Sequence, residues 1–309
     1  MPAENQSSHA PDDPASDAPR PYGGAAAPGA AGTGDPTAPQ KPPRTPARIR
    51  TVHLRRFKEE GRRFAMLTAY DAQIASIFDE AGVEVLLVGD SASNVMMGRS
   101  TTLPITVEEM LVFSRSVVNG AERALVVADV PFGSYEASAQ QAVETGVRFM
   151  KEAEVHAVKV EGDASMAGHV RAMVSAGIPV MAHVGFTPQS EHALGGYRVQ
   201  GRGDAAARVL ADARAMQEAG AFCVLMEMVP SDVAAEVEAA LDVPTIGIGA
   251  GPATTGQVLV WQDMMGMTPG RLPRFVKRYA DLRGTVAAAA AAYAEDVRSG
   301  AFPAEEHGF

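Results

Sequence analysis

From about residue 64 to residue 264, short apolar runs alternate with longer amphipathic stretches. The runs are FAMLTAY, EVLLVGD, RALVVAD, HAVKVEG, IPVMAHVG, AFCVLMEMV, PTIGIGAG and QVLVWQDM, each of a length suited to one buried strand. Between most of them lie stretches with apolar residues at helical spacing, such as DAQIASIFDEAG, TVEEMLVFSRSVVNG, SAQQAVETGVRFMKEAE, DASMAGHVRAMVSAG, GDAAARVLADARAMQEAG and SDVAAEVEAALD. Several of these end in Gly, the usual C-terminal stop of a helix. Eight strands alternating with helices over roughly 250 residues predict an α/β chain folded as a closed (β/α)8 TIM barrel. The competing architecture is a doubly wound open sheet carrying a dinucleotide. Against it, the Gly-rich GIGAGPATTG comes late and has Pro252 where the dinucleotide fingerprint needs its third Gly. That segment reads instead as a tight turn leaving the seventh strand.

Composition divides the chain in two. Residues 1–46 are rich in Pro, Ala, Gly and Asp and hold almost no large aliphatic side chain, which predicts a disordered tail. The plain reading makes this tail dispensable; the alternative makes it a regulatory arm. Residues 47–309 are then a single catalytic barrel domain. With 46% hydrophobic and 21% charged residues, the 309-residue chain has enough apolar material for a large core. A net charge of −10 and the lack of any basic stripe exclude a nucleic-acid surface. The single cysteine, Cys223, excludes an internal disulfide framework and a multi-cysteine metal cage, and it suits a reducing cytoplasm. No run approaches the ~18 apolar residues of a membrane span, and the N-terminus lacks the apolar segment of a signal peptide. The expected partners are small molecules or proteins.

Polar residues concentrate at the predicted strand ends, the rim where a barrel of this kind holds its active site. In HAVKVEGD, Lys159 and Glu161 stand two residues apart and so share one face of a strand. That face would ordinarily be core, where an unpartnered charge is costly. The second run ends at Asp90 and Ser91, the third at Asp129, the fifth carries His183 and the sixth ends at Glu227. Helix capping is the plain role for an Asp after a strand, but the next helical patterns begin only at Thr106 and near Ser138. His183 taken alone reads as a satisfied core histidine. Glu227 lies between two methionines, where a carboxylate is costly unless a raised pKa is wanted. Several carboxylates, one Lys and one His on one rim suggest a divalent metal site with an acid–base partner. Oxygen ligands favour Mg²⁺, which takes only one or two protein carboxylates, and Asp90 and Asp129 suit that role. Such an ion chelates a 2-oxo acid and stabilises its enolate, with Glu227 as the base.

The segments VGDSASNVMMG, VVADVPFGSY, AVKVEGD, MAHVGFTPQS, GGYRVQGR, LMEMVP and PTIGIGAG…GQVLVWQDMMGM together resemble the ketopantoate hydroxymethyltransferase family, over about Ile49 to Ala294. The resemblance implies a (β/α)8 barrel that moves a one-carbon unit from 5,10-methylenetetrahydrofolate to 3-methyl-2-oxobutanoate, giving 2-dehydropantoate for pantothenate and coenzyme A synthesis. It also implies Mg²⁺ and a homo-oligomer, in this family a decamer. Residue by residue it implies that Asp90 and Asp129 are metal ligands and, with Ser91, contacts of the 2-oxo acid. Lys159 matches a substrate-binding lysine, Glu161 a further metal-site carboxylate and Glu227 the proton acceptor; His183 is expected to contact substrate or orient the site. Two departures stand out: GDSASN where many members read GDSLGM, and Thr255 where many carry an acidic residue. The nearest enzymatic rival is a carbon–carbon lyase of the isocitrate lyase and phosphoenolpyruvate mutase type, which commonly uses a catalytic loop Cys. Cys223 lies inside a strand pattern instead. A non-catalytic ligand-binding barrel would need the rim residues only for stability.

Overall fold

A computed structural model describes residues 48–309. The segment expected to form a disordered tail, 1–46, lies outside the described residues. Eight parallel strands, β1 Phe64–Thr68, β2 Val85–Val88, β3 Leu125–Asp129, β4 Ala157–Glu161, β5 Val180–Gly185, β6 Cys223–Glu227, β7 Thr245–Ile248 and β8 Gly256–Leu259, close into a barrel in sequence order. The closing register pairs Phe64 with Gly256 and Met66 with Val258. Helix α1 (Thr51–Glu59) precedes the first strand, and α2 (Ala72–Glu80), α3 (Ala92–Val95), α4 (Val107–Gly120), α5 (Ala139–Glu152) and α6 (Ala167–Ser175) follow in turn. They are succeeded by α7 (Glu191–Leu194), α8 (Ala206–Glu218), α9 (Ser231–Ala240), α10 (Trp261–Met264) and α11 (Leu282–Ser299).

The predicted architecture is present, and its strands sit where the apolar runs placed them. The eighth apolar run outlasts its strand. QVLVWQDM is a strand only through Leu259; Trp261–Met264 turns into α10, where Trp261 packs edge-on against Phe78 of α2. The open-sheet alternative falls, since no strand of the barrel is left with a free edge. Helix starts follow cap chemistry: Asp71, Thr106 and Ser138 each accept a hydrogen bond from the backbone N–H three residues on, and Thr106 completes a reciprocal capping box with Glu109.

The strands bury both faces, and the core therefore has two shells. Val158 and Val160 of β4 belong to the outer shell between strands and helices, whereas Ala157 belongs to the inner one. Alternation then sends Lys159 and Glu161, in phase with Ala157, into the barrel. The same phase sends in Asp129 behind Leu125 and Val127, His183 behind Met181, and Glu227 behind Cys223 and Leu225. At the N-terminal end of the strands the barrel interior is closed by Ile49, Leu54, Phe57 and Phe64. The interior is thus apolar below and ionisable above, a gradient set by where each strand switches from aliphatic to polar residues.

Candidate active site

The strand register assembles the inward polar side chains into one layer. Asp129 is paired with Lys159, Glu161 with His183, and Gly185 with Glu227, so neighbouring strands bring their inward polar side chains together at the C-terminal rim. Asp90 follows the end of β2 and reaches the same layer, where its backbone N–H donates to Asp129 Oδ2 at 2.9 Å. All seven residues singled out from the sequence line one cavity of about 270 Å³. Asp90, Asp129, Lys159, Glu161 and His183 are buried, and Glu227 retains 15% of its side-chain exposure.

The capping question raised by Asp90 has a more precise answer than the sequence allowed. A short helix, α3, does begin directly after it, not at Thr106. The Asp90 side chain still caps nothing: its Oδ2 accepts from the Gln189 side-chain amide at 3.0 Å. Ser91 pairs through its hydroxyl with Tyr70 at 2.8 Å.

Lys159 is the hub. Its Nζ lies 2.6 Å from Asp129 Oδ1 and 3.5 Å from Glu161 Oε1. Burial disfavours its ammonium, but the charges of Asp129, Glu161 and Asp90 outweigh that and hold its pKa above the ordinary lysine range. For Glu161, burial works against ionisation, yet its interactions with His183 and Lys159 prevail and bring the carboxyl down to about 2. Its Oε1 faces His183 Nδ1 at 3.1 Å and its Oε2 accepts from the Gln189 backbone at 3.0 Å. An ionised carboxylate only accepts, so His183 Nδ1 carries the hydrogen. His183 Nε2 is buried without a hydrogen-bond partner and sits 3.6 Å from Glu227 Oε2.

Three carboxyls are pushed the other way. Asp90 is raised well above its ordinary value, first by burial and then by the charge of Asp129; Asp129 is raised by burial, against the pull of Lys159. Glu227 is pushed up to about 8 by burial and then by the charge of Glu161. Four carboxyls thus share the layer with one ammonium and one imidazole, an excess of acid that a cation or a shared proton relieves. Among the described residues no three His, Cys, Asp or Glu side chains converge closely enough to hold an ion by themselves.

Gly185 makes the placement of Glu227 possible. Its φ of +92° suits glycine, and a Cβ there would meet the Glu227 carbonyl oxygen at 2.7 Å. The residue after Glu227, Met228, is also held in the left-handed region with φ of 49°. Such a conformation in a non-glycine residue is a local strain that clusters at functional sites.

Sequence reasoning missed Gln189 and Tyr135. Both lie in segments quoted for the family resemblance, but neither carries a charge, and their roles arise from contacts across the barrel that no local spacing reveals. Tyr135 is fully buried, and its hydroxyl lies 2.7 Å from Gln189 Oε1. Above the polar layer the cavity wall includes Tyr197, Pro273 and Phe275. Thr255, one of the departures from the family pattern, is remote in chemistry: its hydroxyl donates to Glu238, which pairs with Lys58 of α1. Cys223 is buried in the apolar interior with its thiol pKa pushed up by burial, so it is no loop nucleophile.

A closed (β/α)8 barrel with an acid-rich, lysine-centred layer at the strand C-termini defines an enzyme acting on small anionic molecules. Residues 48–305 match the family profile described as ketopantoate hydroxymethyltransferase, and the chain belongs to that family. It is 63% identical over 291 residues to the 3-methyl-2-oxobutanoate hydroxymethyltransferase of Paenarthrobacter aurescens (strain TC1), covering 94% of this chain and 95% of that one. It is 64% identical over 282 residues to the enzyme of the same name from Arthrobacter sp. (strain FB24), covering 90% and 94%. The family's activity, hydroxymethyl transfer to 3-methyl-2-oxobutanoate in pantothenate biosynthesis, is accordingly the activity of this chain. Among solved structures, a 2,3-dimethylmalate lyase of the PEP mutase/isocitrate lyase superfamily aligns with TM-score 0.53 at 18% identity, over 84% of this chain and 91% of that one. A phosphonopyruvate hydrolase in complex with oxalate and Mg²⁺ aligns with TM-score 0.55 at 16% identity, over 84% and 93%. At such identity these two share the fold alone. Among the described residues no helix is long and apolar enough to cross a membrane.

Proposed function

We propose that the polar layer carries out the transfer by enolising the 2-oxo acid, with Glu227 as base, Asp90 and Asp129 as metal ligands, and 5,10-methylenetetrahydrofolate as one-carbon donor. The observation that carries this reading is the opposition of charge states within one layer. Glu227, at about 8, is poised to take and return a proton near neutral pH. Glu161, at about 2, remains ionised beside Lys159.

The residues present fit a divalent cation. Asp90 and Asp129 are adjacent and buried, both disfavoured as anions in its absence, and two carboxylates are as many as Mg²⁺ ordinarily takes from protein. When bound, the ion supplies Lewis-acid stabilisation of negative charge on the 2-oxo acid's oxygens. Glu161 has both oxygens engaged by His183, Lys159 and Gln189. Its part in the metal site is therefore to act through a water and to hold Lys159 and His183 in place.

The chain's own groups divide the remaining work. Lys159, kept protonated by its acidic neighbours, offers its charge to the substrate carboxylate, with Ser91 as a further polar contact. Glu227 takes the C3 proton, and the C–H electron pair forms the enolate double bond while the carbonyl pair moves onto oxygen. The enolate carbon forms its new bond to the donor's methylene carbon. Both C–N bonds of that methylene carbon break, one as the C–C bond forms and the other as a water supplies the hydroxyl. The C3 proton and one proton of that water pass to the two nitrogens, so one water is consumed and tetrahydrofolate and 2-dehydropantoate leave. His183 Nε2, 3.6 Å from Glu227 with no other partner, is placed to accept a hydrogen bond from that carboxyl when Glu227 is protonated.

The test separates enolisation from transfer. The protein with Mg²⁺ and 3-methyl-2-oxobutanoate in D₂O, without folate, is expected to exchange the C3 proton, followed by proton NMR. Absence of exchange by folded, Mg²⁺-supplied protein would defeat the enolate mechanism. The same family membership supports a homo-oligomer, a decamer, located in the cytoplasm.

A further inference from the structure

We infer that Gln189 is a positioning residue, clamping Asp90 and Glu161 in one fixed relation so that the paired aspartates present a ready-made cation site. The inference rests on the metal-dependent reading above. Gln189 stands just beyond β5, in the turn before α7, and is 5% exposed. Its Nε2 donates to Asp90 Oδ2 and to the Val130 carbonyl, each at 3.0 Å. Its backbone N–H donates to Glu161 Oε2 at 3.0 Å. One residue therefore grips two carboxylates that arrive from β2 and β4.

The side-chain amide has a single workable orientation. A flipped amide would set its oxygen against two acceptors, whereas the present one satisfies both with N–H donors. Tyr135 fixes the other end. Its hydroxyl lies 2.7 Å from Gln189 Oε1 and accepts from the Glu161 backbone N–H at 3.1 Å. The hydroxyl has one hydrogen and two acceptors within reach, Gln189 Oε1 at 2.7 Å and the Glu161 carbonyl at 3.0 Å, and the shorter contact takes it. The chain of contacts runs from Asp90 through Gln189 and Tyr135 to the Glu161 backbone, and returns from Gln189 to the Glu161 carboxylate.

The clamp has a purpose that packing alone lacks. Asp90, Asp129 and Glu161 repel one another, and free rotation would let Asp90 turn away from its neighbours. Gln189 takes one Asp90 oxygen, and Oδ1 has no protein hydrogen bond among the described residues. The arrangement dedicates one oxygen to the scaffold and one to a ligand, the usual division for a carboxylate whose orientation is fixed from behind.

The experiment uses the full chain and Mn²⁺ alone, with free Mn²⁺ followed by electron paramagnetic resonance. Gln189→Leu preserves side-chain bulk and the backbone N–H but deletes the amide, and is expected to weaken Mn²⁺ binding by about 10- to 100-fold. Tyr135→Phe removes one hydrogen bond at the far end of the clamp and is expected to weaken it by about 2- to 10-fold. In turnover both are expected to raise KM for the 2-oxo acid more than they lower kcat, a split that general loosening of the fold does not produce. Mn²⁺ binding within twofold of wild type in the folded variants overturns the inference, and Tyr135→Phe decides it should Gln189→Leu not fold. Wild-type protein that takes up no Mn²⁺ and exchanges no C3 proton defeats the metal reading itself, a distinct result.

Discussion

Replacing Glu227 by Gln deletes a charge and changes little else, and its effect on stability follows from the position of the residue. The carboxyl titrates near its ordinary 4.5 in the unfolded chain and at about 8 in the folded one. Between those pH values the folded state holds a proton that the unfolded state has released, so stability contributed below pH 4.5 is lost as pH rises through 8. The difference, 8 − 4.5, is 3.5 units; at about 1.4 kcal/mol per unit this gives about 5 kcal/mol. Water reaching the partly exposed side chain, 15% accessible, makes that figure a ceiling. The amide does not titrate. The stability of Glu227→Gln minus that of wild type is therefore expected to rise by about 2–5 kcal/mol between pH 5 and pH 9. Urea unfolding of both proteins in chelator at pH 5, 7 and 9 measures it, and groups that do not interact with residue 227 cancel in the difference. The variant is also expected to lose C3-proton exchange. A flat difference would refute the burial argument, and full exchange by the variant would refute the assignment of the base.

Asp129→Asn removes the negative charge 2.6 Å from a buried ammonium, leaving Glu161 at 3.5 Å as the carboxylate paired with Lys159. Its expected cost is about 3 kcal/mol, the lower end for breaking a buried ion pair, measured by urea unfolding; its Mg²⁺-dependent substrate binding, read by calorimetry, is expected to fall more than that of Glu227→Gln. Gly185→Ala places a Cβ 2.7 Å from the Glu227 carbonyl at a φ of +92°. It is expected to cost about 2–4 kcal/mol in thermal or urea unfolding and to lower kcat by displacing the base. A Gly185→Ala protein of wild-type stability would show that the β5–β6 approach is looser than the structure has it.

The barrel was legible because each strand announces itself locally as a short apolar run, with its charged residues gathered toward the C-terminal end. Lys159 and Glu161 could be placed on one inward face, and Glu227 beside them at a strand end, without knowing which strands are neighbours. The end of the eighth strand was not legible, because VLVWQDM is as apolar as a strand and only the packing of Trp261 on Phe78 turns it into a helix. Nor was α3, four residues of small and polar side chains that no periodicity could mark. Gln189 and Tyr135 escaped for a different reason. A neutral amide and a phenol become informative only when their partners are known, and those partners lie 99 and 54 residues away. Charge is visible in one dimension, whereas the geometry that makes a neutral group matter is not.

The apolar closure beneath the polar layer has a kinetic meaning. With Ile49, Leu54, Phe57 and Phe64 sealing one end, the barrel is a well with a single mouth, and whatever lies deeper is covered by whatever arrives next. On the proposed assignment the small 2-oxo acid lies at the level of Lys159, and the bulky one-carbon donor takes the space toward the mouth, by Tyr197 and Phe275. That arrangement predicts traffic that is last in, first out: the acid entering before the donor, and its enlarged product waiting for the spent carrier to clear the mouth. An ordered binding and release would then follow from the plugging of the far end, by residues outside the polar layer.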